Sequence, residues 1–184
     1  SMLVLRPADA AETTAAWKTA LENRNTPTAL LLSRQNIKDI PSVSGNRYND
    51  ALNLQKGAYI VHDCDGIPDI ILVANGSEVS TLFEGALLLK NDNIKYRIIS
   101  APSEGLFRNQ PEEYRKSIIP DDIPVFGLTA GLPVTLQGFV GSKGKIWGLE
   151  TFGHSAPYKV LDEKFGFSPE NVHQQIIEFL HKFR

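Results

Sequence analysis

One cysteine, Cys64, stands in a chain of 184 residues, so no disulfide can form within it, and a reducing, cytoplasmic setting is expected. No apolar run approaches the ~20 residues that span a bilayer, and no basic-then-apolar leader opens the sequence. Neither sign of charge dominates, with 19 Lys and Arg against 21 Asp and Glu, which gives no electrostatic reason to expect nucleic acid or an anionic membrane as partner. Zinc spacing is missing too. His62 and Cys64 lie two apart, but no second ligand pair accompanies them, and His173 and His181 are scattered; no metal is expected, and the three histidines read as surface residues. Ser1-Met2 looks like the remnant of a removed tag and carries no fold information.

What the chain does have is hydrophobic content of 42%, enough for one cored domain, or one domain plus a fragment of another. In residues 3–33, Asp9 and Glu12 have capping-box spacing, Ala16, Trp17, Ala20 and Leu21 recur at helical intervals, and Thr28–Leu32 reads as a buried strand. One helix and one strand cannot enclose a core, so this fragment must pack elsewhere. Residues 34–55 lack periodicity and are expected to be an extended linker.

From residue 56 onward, strands and helices alternate. Strands are expected at Gly57–Val61, Asp69–Ala74, Lys95–Ser100, Pro124–Ala130 and Lys145–Thr151. Helices are expected at Ser77–Lys90 and Leu132–Val140, and a final helix opens at Ser168-Pro169-Glu170 with an N-cap and Pro at its first position. The pattern predicts a three-layer α/β domain over 56–184, with a mostly parallel five-stranded sheet. The short turn Asp65–Pro68 predicts a hairpin between the first two strands, making the first an antiparallel edge.

Three stretches invite a chemical reading. Asn75-Gly76-Ser77-Glu78 joins a strand to a helix, as phosphate-binding turns do, but it has one glycine and no lysine where the known fingerprints need more. Ser77 is expected to cap the helix instead. Thr151–Pro157 sets His154 beside Ser155, yet neighbours in an extended segment point apart and no G-x-S-x-G elbow exists, so Ser155 is expected to cap a helix. Pro102–Pro120 follows the third strand, beyond whose carboxyl end open α/β sheets place ligands. By pattern alone it is a solvated helix with Glu112, Glu113, Arg115 and Lys116 paired along it, although Arg115 could bind a phosphate bidentately.

Taken in order, several phrases resemble the C-terminal part of transketolase. They are Leu5–Asp9 with Ala16-Trp17-Lys18, Pro27–Leu30 with Ser33-Arg34-Gln35, Lys56–Tyr59, Gly76–Val79, Pro102-Ser103, Tyr114-Arg115, Phe152-Gly153 with Ser155-Ala156-Pro157, and Phe165-Gly166-Phe167. The resemblance spans nearly the whole chain. It implies that residues 3–33 are the end of a pyrimidine-binding domain and 56–184 a whole C-terminal domain. It also implies an enzyme of the pentose phosphate pathway that moves a two-carbon ketol unit from a ketose phosphate to an aldose phosphate, using thiamine diphosphate and a divalent metal (Mg or Ca). The cofactor and metal contacts would lie in domains N-terminal to this chain, so none is expected bound here, and the chain alone is expected to be inactive. Implied partners are those N-terminal domains or a subunit carrying them, the sugar phosphate, and a second copy in a homodimer. Tyr114-Arg115 followed by Ile118-Ile119-Pro120 matches the family phrase that supplies an arginine to the sugar phosphate, which makes Arg115 the phosphate-binding candidate. Thr129-Ala130-Gly131 stands where Glu-Ala-Gly is usual, Asn75 where Thr is usual, and Gly131–Gly141 lacks the usual aromatic-rich helix start. A non-catalytic binding module that kept the fold is the alternative; the equivalent domain of a 2-oxo acid dehydrogenase β chain fits less well, given Tyr114-Arg115 and Ser155–Pro157.

Overall fold

The computed structural model describes residues 2–183; Ser1 and Arg184, with the tag reading of Ser1, lie outside them. The chain runs β1 (Leu3–Leu5), α1 (Ala10–Glu22), β2 (Thr28–Leu30), α2 (Arg47–Ala51), β3 (Tyr59–His62), β4 (Ile70–Ala74) and α3 (Glu78–Leu88). It continues through β5 (Tyr96–Ser100), α4 (Glu104–Arg108), α5 (Glu112–Ile118), β6 (Val125–Leu128), α6 (Gln137–Val140), β7 (Lys145–Trp147), α7 (Tyr158–Phe165) and α8 (Pro169–Phe183).

The five-stranded sheet has the order β3-β5-β4-β6-β7. Its four inner and far strands are parallel, and β3 is the antiparallel edge, as expected. The hairpin is not. β3 pairs with β5, not with β4, so Tyr59 faces Ser100. The connection after β3 instead carries the chain past β5's position to start the parallel set. Residues along β4 alternate between two cores. Ile70, Leu72 and Ala74 face α3 and α8, where Val79, Leu82, Ala86, Val172 and Ile176 are buried. Ile71 and Val73 face Phe107, Ile118, Leu136 and Phe139 from the α4–α6 side. Every residue of β4 is therefore buried, which is why it reads as an unbroken apolar run.

The N-terminal part packs on the rest of the chain. Here β1, not seen in the sequence pattern, pairs in parallel with β2. A third core joins Leu5, Ala11, Ala15 and Ala16 to Ala51 and Leu54. Those last two residues lie in the stretch expected to be an extended linker. It contains α2, capped by Asn46, whose side chain accepts from the Asn49 amide at 3.2 Å, followed by a 3-10 turn over Leu52–Lys56. The turn ends at Gly57, with φ of 85°, where a Cβ would lie 2.1 Å from the Phe107 amide nitrogen; only glycine permits that approach.

Several boundaries shift. Asp9 caps α1 as expected, the Glu12 amide donating to it at 2.8 Å, but the Glu12 carboxylate accepts from the Ala8 amide at 2.8 Å, one residue before the cap, and not from Asp9. Ser168 caps α8. Ser77 does not cap α3: its own backbone is already helical and makes no cap bond, and its hydroxyl donates to Glu78 Oε1 at 2.7 Å. Ser155 caps nothing either, since α7 begins three residues later, after Pro157. The expected helix over Leu132–Val140 splits into a 3-10 turn and α6. Strand β7 stops at Trp147, and residues 150–160 are exposed. Among the described residues no helix is long and apolar enough to cross a membrane.

Candidate functional site

Open α/β sheets bind ligands at the carboxyl rim, where successive strands depart in opposite directions. In this sheet that point lies between β4 and β6, because β5 sits on one side of β4 and β6 on the other. The turn Asn75–Glu78 follows β4 there, and Thr129-Ala130 follows β6. Arg6, arriving from β1, fills the crevice. Its Nη1 donates to Asn75 Oδ1 at 3.1 Å and to Thr129 Oγ1 at 3.0 Å, and its Nη2 donates to Glu78 Oε2 at 2.6 Å. The backbone of Arg6 is tied in as well, its N–H donating to the Pro102 carbonyl and its C=O accepting from Gly76 N–H. Gly76 has φ of 62°, and a Cβ there would stand 2.6 Å from Arg6 Nε. The glycine of the turn thus makes room for an arginine. A diphosphate does not fit this site, because a guanidinium occupies it and the carboxylate of Glu78, 8% exposed, lines it. Two departures from the family phrases, Asn75 and Thr129, are both partners of Arg6.

A second polar cluster holds the three segments of the chain together. Arg47 of α2 donates from Nε to Asp9 Oδ2 at 2.7 Å, from Nη2 to Glu12 Oε1 at 3.2 Å and from Nη1 to the Tyr59 hydroxyl at 2.9 Å. Tyr59 in turn donates to Glu12 Oε1 at 2.6 Å. The Asp9 and Glu12 side chains are fully buried. Burial pushes the Glu12 carboxyl above its ordinary range, with Ser100, Tyr59, Arg47 and the Ala8 amide opposing it. The sequence pattern does not single out Arg47, because it lies in a stretch without periodicity; Asn46 before Arg47-Tyr48-Asn49-Asp50 is the available helix-start signal.

Arg115 lies away from the carboxyl rim. The chain leaves β5 there, but α5 runs back along the sheet face and ends beside the amino end of β5, where Arg97 Nη1 donates to the carbonyls of Ser117 and Ile118. Arg115 is half-buried in a groove of about 520 Å³ between α4, α5 and α6. Three carboxylates (Glu104, Glu112, Asp121) and three cations (Arg108, Arg115, Lys116) line that groove. Lys116 pairs with Glu112 at 2.8 Å and with Asp121 at 3.4 Å. Arg115 Nε is buried without a hydrogen-bond partner among the described residues. Next to it, the Tyr114 hydroxyl donates to the Ala58 carbonyl at 2.8 Å, and burial pushes that phenol up to about 12.

The end of β2 and the residues after it, Leu30 to Ser33, pass over the carboxyl rim, sharing a groove with Arg6, Ala130 and Gly131. Arg34 comes next. It is exposed and makes no hydrogen bond or ion pair among the described residues. His154 stacks on Phe165, ring centroids 5.6 Å apart, and does not bond Ser155. His62 is turned inward onto Tyr96 at 5.0 Å and is not a plain surface residue, whereas His173 stays at the surface, where it bonds Asp92 at 2.7 Å.

The molecule thus contains an open α/β domain whose carboxyl-rim crevice is filled by Arg6 of the N-terminal segment. Residues 57–168 match the family described as the transketolase-like TK C-terminal domain. Transketolase from Aquifex aeolicus (strain VF5) is 38% identical over 179 residues, covering 97% of this chain and 26% of its own. The structure of transketolase from Leishmania mexicana superposes with a TM-score of 0.87 at 34% identity, covering 99% of this chain and 26% of that one. A transketolase variant from Pichia stipitis, solved in complex with xylulose-5-phosphate, does so with a TM-score of 0.85 at 32% identity, covering 99% and 25%. The chain belongs to the transketolase family and corresponds to its C-terminal portion. It spans about a quarter of the length of the relatives it matches.

Proposed function

We propose that this chain serves as the C-terminal portion of a cytoplasmic transketolase that transfers a two-carbon ketol unit between sugar phosphates in the pentose phosphate pathway. One observation carries the reading: the likeness runs over 99% of the chain, the N-terminal segment included, at a TM-score of 0.87. Thiamine diphosphate and its divalent metal belong to the domains that precede this portion in the full-length relatives. When bound there, the cofactor supplies the carbanion chemistry. This portion contributes assembly and a cationic contact to the sugar phosphate, and the working enzyme is a homodimer. Residues 3–33 act as the end of the pyrimidine-binding domain and 34–55 as the joint to the C-terminal domain at 56–184.

Two arginines suit the phosphate contact. Arg115 rests on the Tyr114-Arg115 phrase and on its unpartnered Nε. Arg34 rests on a different observation, an exposed guanidinium next to the segment that crosses the carboxyl rim. In enzyme assembled from this chain and the cofactor-binding domains, the variant that removes the phosphate contact raises sugar-phosphate KM by about tenfold or more. It leaves thiamine diphosphate affinity unchanged. Steady-state kinetics of Arg115→Ala and Arg34→Ala side by side decide between them, and an unchanged KM removes that arginine from the site. Mixing this chain with the cofactor-binding part and assaying ketol transfer tests the whole reading. Persistent inactivity with both parts folded and associated would favour a non-catalytic module.

A further inference from the structure

We infer that the carboxyl-rim crevice between β4 and β6 is a guanidinium site, with Arg6 as its resident ligand. In this view Arg6 is a positioning residue that sets the N-terminal segment, and with it the end of β2, against the C-terminal domain. The site is built from three strand ends at once. Asn75 and Glu78 follow β4, Thr129 and Ala130 follow β6, and Pro102 follows β5.

The guanidinium gives Glu78 Oε2, Asn75 Oδ1 and Thr129 Oγ1 each a second donor and gives the Glu78 carboxylate its counter-charge. Glu78 Oε2 accepts from Arg6 Nη2 and from the Ala130 amide, while Oε1 accepts from Ser77. Asn75 Oδ1 accepts from Arg6 and from the Thr129 hydroxyl. Thr129 Oγ1 also accepts from the Gly131 amide at 3.1 Å. Thr129 is fully buried, and Asn75 is 8% exposed. Removing the guanidinium leaves a nearly buried carboxylate facing two side-chain acceptors, which is a vacancy for a planar cation with forked donors. Lysine, with one compact ammonium, cannot reach Glu78 and the Asn75–Thr129 pair in the same fork.

The positioning role follows from the backbone. Leu5, next to Arg6, pairs with Leu30, and the Leu31 amide donates to the Leu5 carbonyl. A shift of Arg6 is therefore transmitted to residues 30–33 on the rim.

The test is chemical rescue in the 184-residue chain. Arg6→Ala is expected to speed amide hydrogen exchange in β1 and β2 by about tenfold, consistent with loss of a charge-assisted contact, while β4 and β5 keep their protection. Methylguanidinium at about 10 mM, far below denaturing concentrations, is expected to restore protection in that variant and to do nothing for the unaltered chain. Ethylammonium at the same concentration is expected to fail. In Arg6→Ala combined with Glu78→Gln, the rescue is expected to be lost. If Arg6→Ala yields too little folded protein, Arg6→Ser, whose short side chain also leaves the crevice open, provides the same readout, with methylguanidinium again expected to restore protection. The inference is overturned if methylguanidinium rescues neither variant, if ethylammonium rescues equally well, or if rescue persists without Glu78. The outcome does not depend on ketol transfer, so it stands apart from the functional reading above.

Discussion

Two arginines join the N-terminal segment to the sheet, and they differ in how far water reaches them. Arg47 sits inside the joint, its guanidinium held by Asp9, Glu12 and Tyr59, with both carboxylates wholly buried. Arg6 sits at the rim, its side chain 21% exposed, against one carboxylate and two neutral acceptors. Charges removed from water are costly unless fully paired, so breaking the inner cluster strands a buried carboxylate, while water can partly replace the outer one. The inner cluster therefore bears on whether the joint forms, and the outer one on where its strands rest.

That contrast can be broken in graded steps. Arg47→Ala should have the largest effect, lowering stability by about 3–5 kcal/mol; a urea midpoint that barely moves would show the cluster to be dispensable. Gly57→Ala comes next. Gly57 leads into Tyr59 at a positive φ with no room for a Cβ, so a loss of about 2–4 kcal/mol is expected by the same measurement. Arg6→Ala should be milder, about 1–3 kcal/mol, with the change confined to the N-terminal segment in hydrogen exchange. A loss equal to that of Arg47→Ala would erase the distinction between rim and interior.

The smallest effect is pH-dependent and lies outside both clusters. Burial first, and Lys90 second, hold the His62 imidazole below its ordinary value. The folded state therefore prefers the neutral ring, and the unfolded chain binds the proton more readily. This contribution is present above the ordinary value of 6.5 and is lost as pH falls through the folded value. His62→Phe, which keeps a ring against Tyr96, should flatten the decline of Tm below that pH. An unchanged slope would place the titration elsewhere.

Much of this was legible in the residues. The strand at Asp69–Ala74 and the Asp9 helix cap are local patterns, and both formed where expected. The hairpin expectation failed because turn length limits what β3 and β4 can do without deciding it, and β5 supplied the partner for β3. The linker expectation failed because α2 is a short helix held by one buried ion cluster, too brief to show periodicity. The turn after β4 is poor in phosphate-binding features by its residues, but its occupant could not be named from sequence. Arg6 and Glu78 are 72 residues apart.

By itself, then, the sequence determined the layered α/β class, the place of its central strand and, through many matching phrases, the transketolase resemblance. These are properties of spacing along a single chain. Tertiary structure alone decided that β3 joins β5, that Arg47 anchors the joint and that Arg6 closes the crevice. Each depends on groups distant in sequence meeting where water is largely excluded, and there pairing, more than local propensity, sets the energy.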